Sequence, residues 1–463
     1  ALCYMDGKGV PRNRHEALKR LLLTAENGNA AAMARLSFLY LDGIPDFGEA
    51  SHFHSLIKED TKASNIIKDI EKSKYWAEKA VENGEASGYV ALGYIYSVND
   101  LNYYDIDRAI NSYRLAFSGM DPRGALGLGQ LLLQFHSDND DLVREAEKAL
   151  TFALETGVPA AGYLLGGLYE IGKPVPQNTE KSRDLYRKAA QVGIPKAMLR
   201  LGILLSNGIG GDTNSVEGET WLRRAAAKGE CEAIHILSRN YIEKSDYNYA
   251  THFLEMGAEL EDPNSLFKLA EIKRKNKTLY LEQGECIDLY MRSLKKNYAQ
   301  SAGEITEYLL SPKVSTNDKI RILKKLRDMH DGGNELASFV IARYIRINKK
   351  DEQEKARNLF LHASEKGLVD AHVSAGEMII NGIGGEKDPS HALKLFLKAA
   401  HSGHIGAMYA CAVIYQGGHG VEQDLKQTIE WHKRAAAGGH VKSRDLIKRY
   451  QADHGAMQET DHS

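Results

Sequence analysis

The sequence predicts an all-α fold, a right-handed α/α superhelical solenoid of about twelve helix-turn-helix repeats. Three observations predict it. First, the stretch Lys188-Ala-Ala-Gln-Val-Gly193 returns as Arg224-Ala-Ala-Ala-Lys-Gly229, as Lys398-Ala-Ala-His-Ser-Gly403 and as Arg434-Ala-Ala-Ala-Gly-Gly439. Self-similarity at a period of roughly 20–50 residues marks stacked repeats. Second, helix-closing residues recur at Gly28, Gly84, Gly119, Gly157, Gly193, Gly229, Gly257, Asn297, Gly333, Gly367, Gly403 and Gly439, with spacings that cluster at 36. Glycine and asparagine accept the left-handed conformation that follows a helix end. Third, apolar residues step by four before each closing helix, as in Ala161-x-x-x-Leu165-Gly166-x-x-Tyr169. That spacing places them on one helix face.

The pieces assemble in order. A first helix carries the Ala/Leu/Tyr stripe, seen again at Ala32, Leu36 and Tyr40 and at Ala407, Cys411 and Tyr415. The residue after the central Leu is small, as at Ser37, Gly93, Gly129, Gly202, Ser238, Ala342 and Gly376, which predicts close approach by a neighbouring helix. A glycine turn follows, such as Gly208-Ile-Gly210-Gly211, Gly382-Ile-Gly384-Gly385 or Gly418-His-Gly420-Val421. A second helix then ends in the Ala pair and the closing residue. One such hairpin cannot bury its own apolar stripe, whereas a stack of them buries a continuous core.

Departures from the period set the domain organisation. Residues 1–44 read as a first repeat cut short and the start of the next. Residues 45–73 read as an insertion within a repeat, because the spacing from Gly28 to Gly84 is 56. Residues 74–275 continue the array, 276–350 carry degenerate repeats with Asn297 in place of the closing glycine, 351–450 restore the pattern, and 451–463 form a polar tail expected to fray.

Composition narrows the function classes. Lys+Arg number 60 against Asp+Glu 62, a net charge of −2, which gives no electrostatic footprint for nucleic acid. Apolar runs such as Leu131 to Leu133 are far too short to span a bilayer, so no transmembrane segment is expected. Cys3, Cys231, Cys286 and Cys411 show no paired spacing and read as buried helix thiols. Thiols of that kind favour a reducing compartment, but the compartment itself, cytoplasm or bacterial envelope, is left open.

Candidate chemistry reduces to structure. The glycine turns lack the preceding strand of a dinucleotide site and the Gly-Lys-Ser/Thr of a phosphate loop, and they recur with the repeat. Cys231 and His235, four apart, are too few for a metal. His401, His404, His419, His432 and His440 gather near the C-terminal repeats and read as solvated or capping. Trp76, Trp221 and Trp431 recur in register and read as core. No catalytic, cofactor or metal residues are expected, and the chain is not expected to be an enzyme.

Ala161 to Gly193 and Ala407 to Gly439, together with the turn Tyr4 to Asn13, resemble the Sel1-like repeat family, relatives of the tetratricopeptide repeats. The resemblance spans nearly the whole chain. It implies a scaffold or adaptor that binds one or more proteins or peptides, in its specific form within a bacterial envelope, export or exopolysaccharide complex. A glycan- or peptidoglycan-binding accessory or weak hydrolase, and a secreted effector that engages host proteins, are the alternatives. In solenoids of this type the first helices line the concave side. The side chains expected to meet a partner are therefore Arg35, Tyr163, Arg200, His235, Arg239, Arg343, Glu377 and Tyr409. A monomer is expected unless the repeat ends pair.

Overall fold

A computed structural model describes residues 14–42, 68–99, 101–275 and 283–460. It divides into two compact units, Ala1–Leu237 and Ser238–Ser463. In the first unit the helices are α1 (Arg14–Glu26), α2 (Ala30–Asp42), α3 (Ile70–Glu82), α4 (Ser87–Ser97), α5 (Ile106–Ser118), α6 (Pro122–Phe135), α7 (Asp140–Glu155), α8 (Ala161–Ile171), α9 (Thr179–Gln191), α10 (Pro195–Asn207) and α11 (Ser215–Ala227). The division falls within α12 (Cys231–Glu243). The second unit continues with α13 (Tyr247–Glu259), α14 (Pro263–Lys275), α15 (Gln283–Lys295), α16 (Gln300–Leu310), α17 (Thr316–Asp331), α18 (Glu335–Asn348), α19 (Gln353–Glu365), α20 (Val369–Asn381), α21 (Pro389–His401), α22 (Ile405–Gly417), α23 (Leu425–Ala437) and α24 (Val441–Thr460). Among the described residues there is no strand, and no helix is long and apolar enough to cross a membrane. The fold is the all-α solenoid class: even-numbered helices are the first helices of hairpins and odd-numbered ones the second.

In five first helices the small residue meets a large side chain of the second helix of the same hairpin. A Cβ added at Gly93 would lie 2.7 Å from the Tyr113 ring, at Gly129 2.4 Å from Leu150, at Gly166 2.8 Å from Tyr186, at Gly202 2.8 Å from Leu222 and at Gly376 2.9 Å from Phe396. Real Cβ contacts do not close this far, so the missing methylene is what lets the two helices of a hairpin approach. The Ala pairs and central Leu residues then line a core that runs from Phe38 to Leu185 in one unit and from Ala270 to Trp431 in the other.

Several hairpins also share one hinge. The backbone N–H of the residue that caps the second helix donates to the carbonyl at the end of the first: Asp105 to Tyr96 (2.9 Å), Asn178 to Tyr169 (2.9 Å), Asn214 to Leu205 (2.8 Å), Asp388 to Ile379 (3.3 Å) and Asp424 to Tyr415 (3.1 Å). The side chain of the same residue accepts from the first turn of the helix it opens, as Asn178 does from Lys181 N at 2.8 Å. Asp69 makes this bond to Tyr40 at 2.8 Å across a connection far longer than the others. The insertion therefore leaves and rejoins the repeat at an unaltered hinge. Its interior, 43–67, lies outside the described residues, as do the turn from Tyr4 to Asn13 and Cys3. Residues 70–73, counted with the insertion from the sequence, belong to α3, where the Ser73 hydroxyl donates to the Ser37 carbonyl at 2.8 Å.

Two closing positions need correction. Gly119 sits at φ −78 and Met120 takes the left-handed conformation at φ 61. Gly257 is buried inside α13, and Glu261 closes that unit at φ 56. The remaining assignments hold, Asn297 included at φ 59. With Met120 and Glu261 in place, the closings at 84, 120 and 157 fall 36 and 37 apart, and those at 261, 297 and 333 fall 36 apart. The stretch with the faintest signature thus keeps the full period. A left-handed residue other than glycine costs about 1–2 kcal/mol, which stacking over a whole repeat outweighs. At the far end, α24 runs to Thr460, beyond the residue at which periodicity stops.

Two buried histidines sit at repeat junctions in the second unit. His372 Nδ1 lies 2.5 Å from Ser364 Oγ, and His432 Nδ1 lies 3.0 Å from Ser443 Oγ. Burial lowers both below the ordinary 6.5, with the charges of Lys398 and His440 adding to it respectively. The folded state holds these rings neutral while the unfolded chain protonates below about 6.5. Stability is therefore fully present above that pH and lost as pH falls through it. Thermal melts from pH 7.5 to 5.5 are expected to show a falling Tm whose slope flattens in His432→Gln; an unchanged slope would remove His432 from the account.

Candidate interaction surface

With the Ala and Leu positions buried, α10 turns partly outward the residues three, six and nine after its register Ala, whereas on α2 the residues six and nine after Ala32, Phe38 and Leu41, join the core. Arg35 on α2, Arg239 on α12 and Glu377 on α20 are exposed. Tyr163 on α8, Arg200 on α10, His235 on α12, Arg343 on α18 and Tyr409 on α22 are half-buried. The eight candidates are spread over seven helices and do not form one pocket.

Several of them are spoken for by the fold itself. Arg200 forms an ion pair with Glu170 of the preceding first helix, and Tyr186 Oη donates to the same carboxylate at 2.8 Å. Burial alone would pull the Arg200 pKa down, but Glu170 outweighs it and the pKa rises. Burial, reinforced by Glu170, pushes the Tyr186 hydroxyl up, so it stays a donor. Glu377 pairs with Arg346 at 3.1 Å. Arg274 pairs with Glu304 at 2.9 Å in the same relation. Each of the three joins the residue nine after the register position (Ala, or Ser at Ser265 and Ser301) in one repeat to the residue three or six after it in the next. The second helices carry their own rungs, Arg114 to Glu145 at 2.6 Å and Lys325 to Asp288 at 2.7 Å.

Aromatic candidates are held likewise. Tyr163 packs on Tyr186 with centroids 6.0 Å apart, and the Arg343 guanidinium lies 5.7 Å from the Phe339 ring. Tyr409 lies 4.3 Å from the His440 ring and lines an open cleft of about 460 Å³ with Ile405, Val441 and Lys442. His440 and His404 act as caps, their Nδ1 atoms accepting from Ser443 N at 3.2 Å and Ala407 N at 3.1 Å. Trp221 and Trp431 are buried under Arg224 and Arg434, consistent with core packing.

Sequence reasoning passed over Glu170, Arg274, Glu304 and Arg346. Their signal was opposite charges 30 or 31 residues apart, which has meaning only once successive first helices are known to lie side by side. Among the described residues no group of three His, Cys, Asp or Glu side chains is placed to hold a metal ion.

Stacked αα-hairpins with a small-residue hairpin seam, a shared hinge and a charged first-helix face define a helical-repeat array. The Sel1 repeat matches residues 1–29, 30–51, 63–85, 159–193, 195–230, 369–404 and 405–440, and the chain belongs to the Sel1 repeat family. It is 26% identical over 274 residues to chitin synthase regulatory factor 3 of Schizosaccharomyces pombe, covering 57% of this chain and 26% of that protein. It is 29% identical over 185 residues to chitin synthase regulatory factor 2 of the same yeast, covering 35% of this chain and 36% of that one. The matched parts are thus well under two thirds of either regulator's length. Among solved structures, the protective antigen c5321 of uropathogenic Escherichia coli, which displays an SLR fold, superposes with a TM-score of 0.50 at 23% identity, over 94% of this chain and 90% of that one.

Proposed function

We propose that this protein is a non-enzymatic scaffold that binds one or more proteins or peptides along the face of its first helices. The observation that carries the reading is the ladder of inter-repeat ion pairs. It joins α8 to α10, α14 to α16 and α18 to α20, while Arg35 on α2 and Arg239 on α12 are exposed on first helices of their own units. A pre-ordered face loses little conformational entropy on binding. The fission-yeast relatives are named as regulatory factors, which supports a role exercised through another protein. In its narrower form the proposal places the scaffold in an envelope, export or exopolysaccharide complex.

Affinity capture from source cells tests it, with Arg35→Glu/Arg239→Glu as the control. These two are preferable to Arg200 or Arg343, which hold contacts inside the chain. A specific partner is expected to bind the variant on the order of tenfold more weakly, mainly through a slower association rate, with unchanged melting. A partner indifferent to the variant would move the site off this face.

A further inference from the structure

Between α14, α15 and α16, inside the second unit, lies a cavity of about 280 Å³. Cys286, Ile287, Tyr290 and Val314 form its buried wall. Arg274, Glu304, Glu307 and Tyr308 stand at its mouth. The Tyr290 side chain is only 3% exposed, yet its hydroxyl has no hydrogen-bond partner. An unmade bond on a desolvated hydroxyl costs about 1–3 kcal/mol. Packing does not call for that oxygen, because the ring itself meets Phe267 at 5.4 Å and phenylalanine would do the same.

The charges at the mouth are also unbalanced. Lys273 is held by Glu255 at 2.7 Å, and Arg274 spends its guanidinium on Glu304 at 2.9 Å. Glu307 is exposed and makes no ion pair among the described residues. The charge left over is negative. The cavity therefore combines apolar walls, an idle phenol oxygen and a free carboxylate, at a volume just below the roughly 300–1,000 Å³ of pockets that hold drug-sized ligands.

We propose that this cavity receives the ammonium end of a lysine side chain presented by a protein partner, an inference that rests on the scaffold reading above. The aliphatic stem lies along Ile287 and Val314. The ammonium, a compact charge with three donors, gives one N–H to Tyr290 Oη and faces the carboxylates of Glu304 and Glu307. The ring of Tyr308, at the mouth, adds cation–π attraction.

Cys286 in the wall supplies the readout. N-α-acetyl-lysine amide is expected to slow labelling of Cys286 by a neutral methanethiosulfonate several-fold, with peptide mass mapping to separate this thiol from the other three. N-α-acetyl-norleucine amide, which keeps the stem and lacks the charge, is expected to leave the rate unchanged. The lysine effect disappears in Glu307→Gln and in Tyr290→Phe, the second of which melts no lower than the parent. Carbon-13 NMR of the tyrosine Cζ carbons, with the Tyr290 signal identified by its loss in Tyr290→Phe, follows the same titration without chemistry at the thiol. Equal protection by both amides, protection by neither together with an unmoved Tyr290 signal, or an effect that survives both variants overturns the proposal. Partner capture through the Arg35 and Arg239 face is measured separately, so failure here leaves that result standing.

Discussion

Gly210→Ala is expected to destabilise the first unit by about 3 kcal/mol, and Gly193→Ala by only about half as much. Both glycines have positive φ, 73 and 98, and an alanine in that region costs about 1–2 kcal/mol. Nothing lies within 4 Å of a Cβ at Gly193, so that strain is its whole cost. At Gly210 the Cβ would stand 2.2 Å from the Thr179 carbonyl oxygen and 2.6 Å from its carbon, at the start of α9 in the preceding repeat. Backbone cannot give way as a flexible side chain does, and overpacking of this kind adds about 1–3 kcal/mol. Gly384 repeats the arrangement against Gln353 at 2.4 Å. The difference between the two substitutions thus measures how tightly one repeat's turn seats on its neighbour. A chain this long is not expected to unfold in a single step, so hydrogen exchange of amides in α9 to α11 is the suitable probe. Equal costs at Gly193 and Gly210 would show that the turn is not a stacking contact.

The second large effect is expected at the Glu170 rung. This one carboxylate satisfies both the Arg200 guanidinium and the Tyr186 hydroxyl. Glu170→Ala leaves a half-buried cation and a buried phenol unpaired, at an expected cost of about 2 kcal/mol. The double-mutant cycle with Arg200→Ala is expected to return about 1 kcal/mol of coupling. The same cycle on Arg144 and Asp141, 53% and 92% exposed, is expected to return about 0–0.5 kcal/mol. A rung coupling no larger than that of the exposed pair would mean that the ladder does not stiffen the face.

Much of this was legible before the fold was known, for identifiable reasons. Repeated helix ends and small residues obey local rules: Gly166 must be small because Tyr186 fills the space, and both recur with the period. The register failed at Gly119 and Gly257 because the left-handed residue is chosen by only a kcal/mol or two. Met120 and Glu261 accept that position, and a nearby glycine misleads. Of the eight positions that periodicity picked out on the first helices, Arg35, Arg239 and Glu377 are exposed and the other five are half-buried. Whether each is free was not legible. Arg200 and Arg35 occupy equivalent positions, and only stacking reveals that Glu170 takes up the former. The Tyr290 cavity was hidden for the same reason, since its walls come from three helices in the stretch where the signature is weakest.

The central claim is that partners meet the first helices, and cross-linking mass spectrometry on a captured complex tests it most directly. Lys268 and Glu377 are exposed on first helices α14 and α20, whereas Lys148 and Lys394 are exposed on second helices α7 and α21. Partner cross-links are expected at Lys268 and Glu377 and are expected to be missing at Lys148 and Lys394. Cross-links concentrated at Lys148 and Lys394 would contradict the account and assign binding to the opposite face of the repeats.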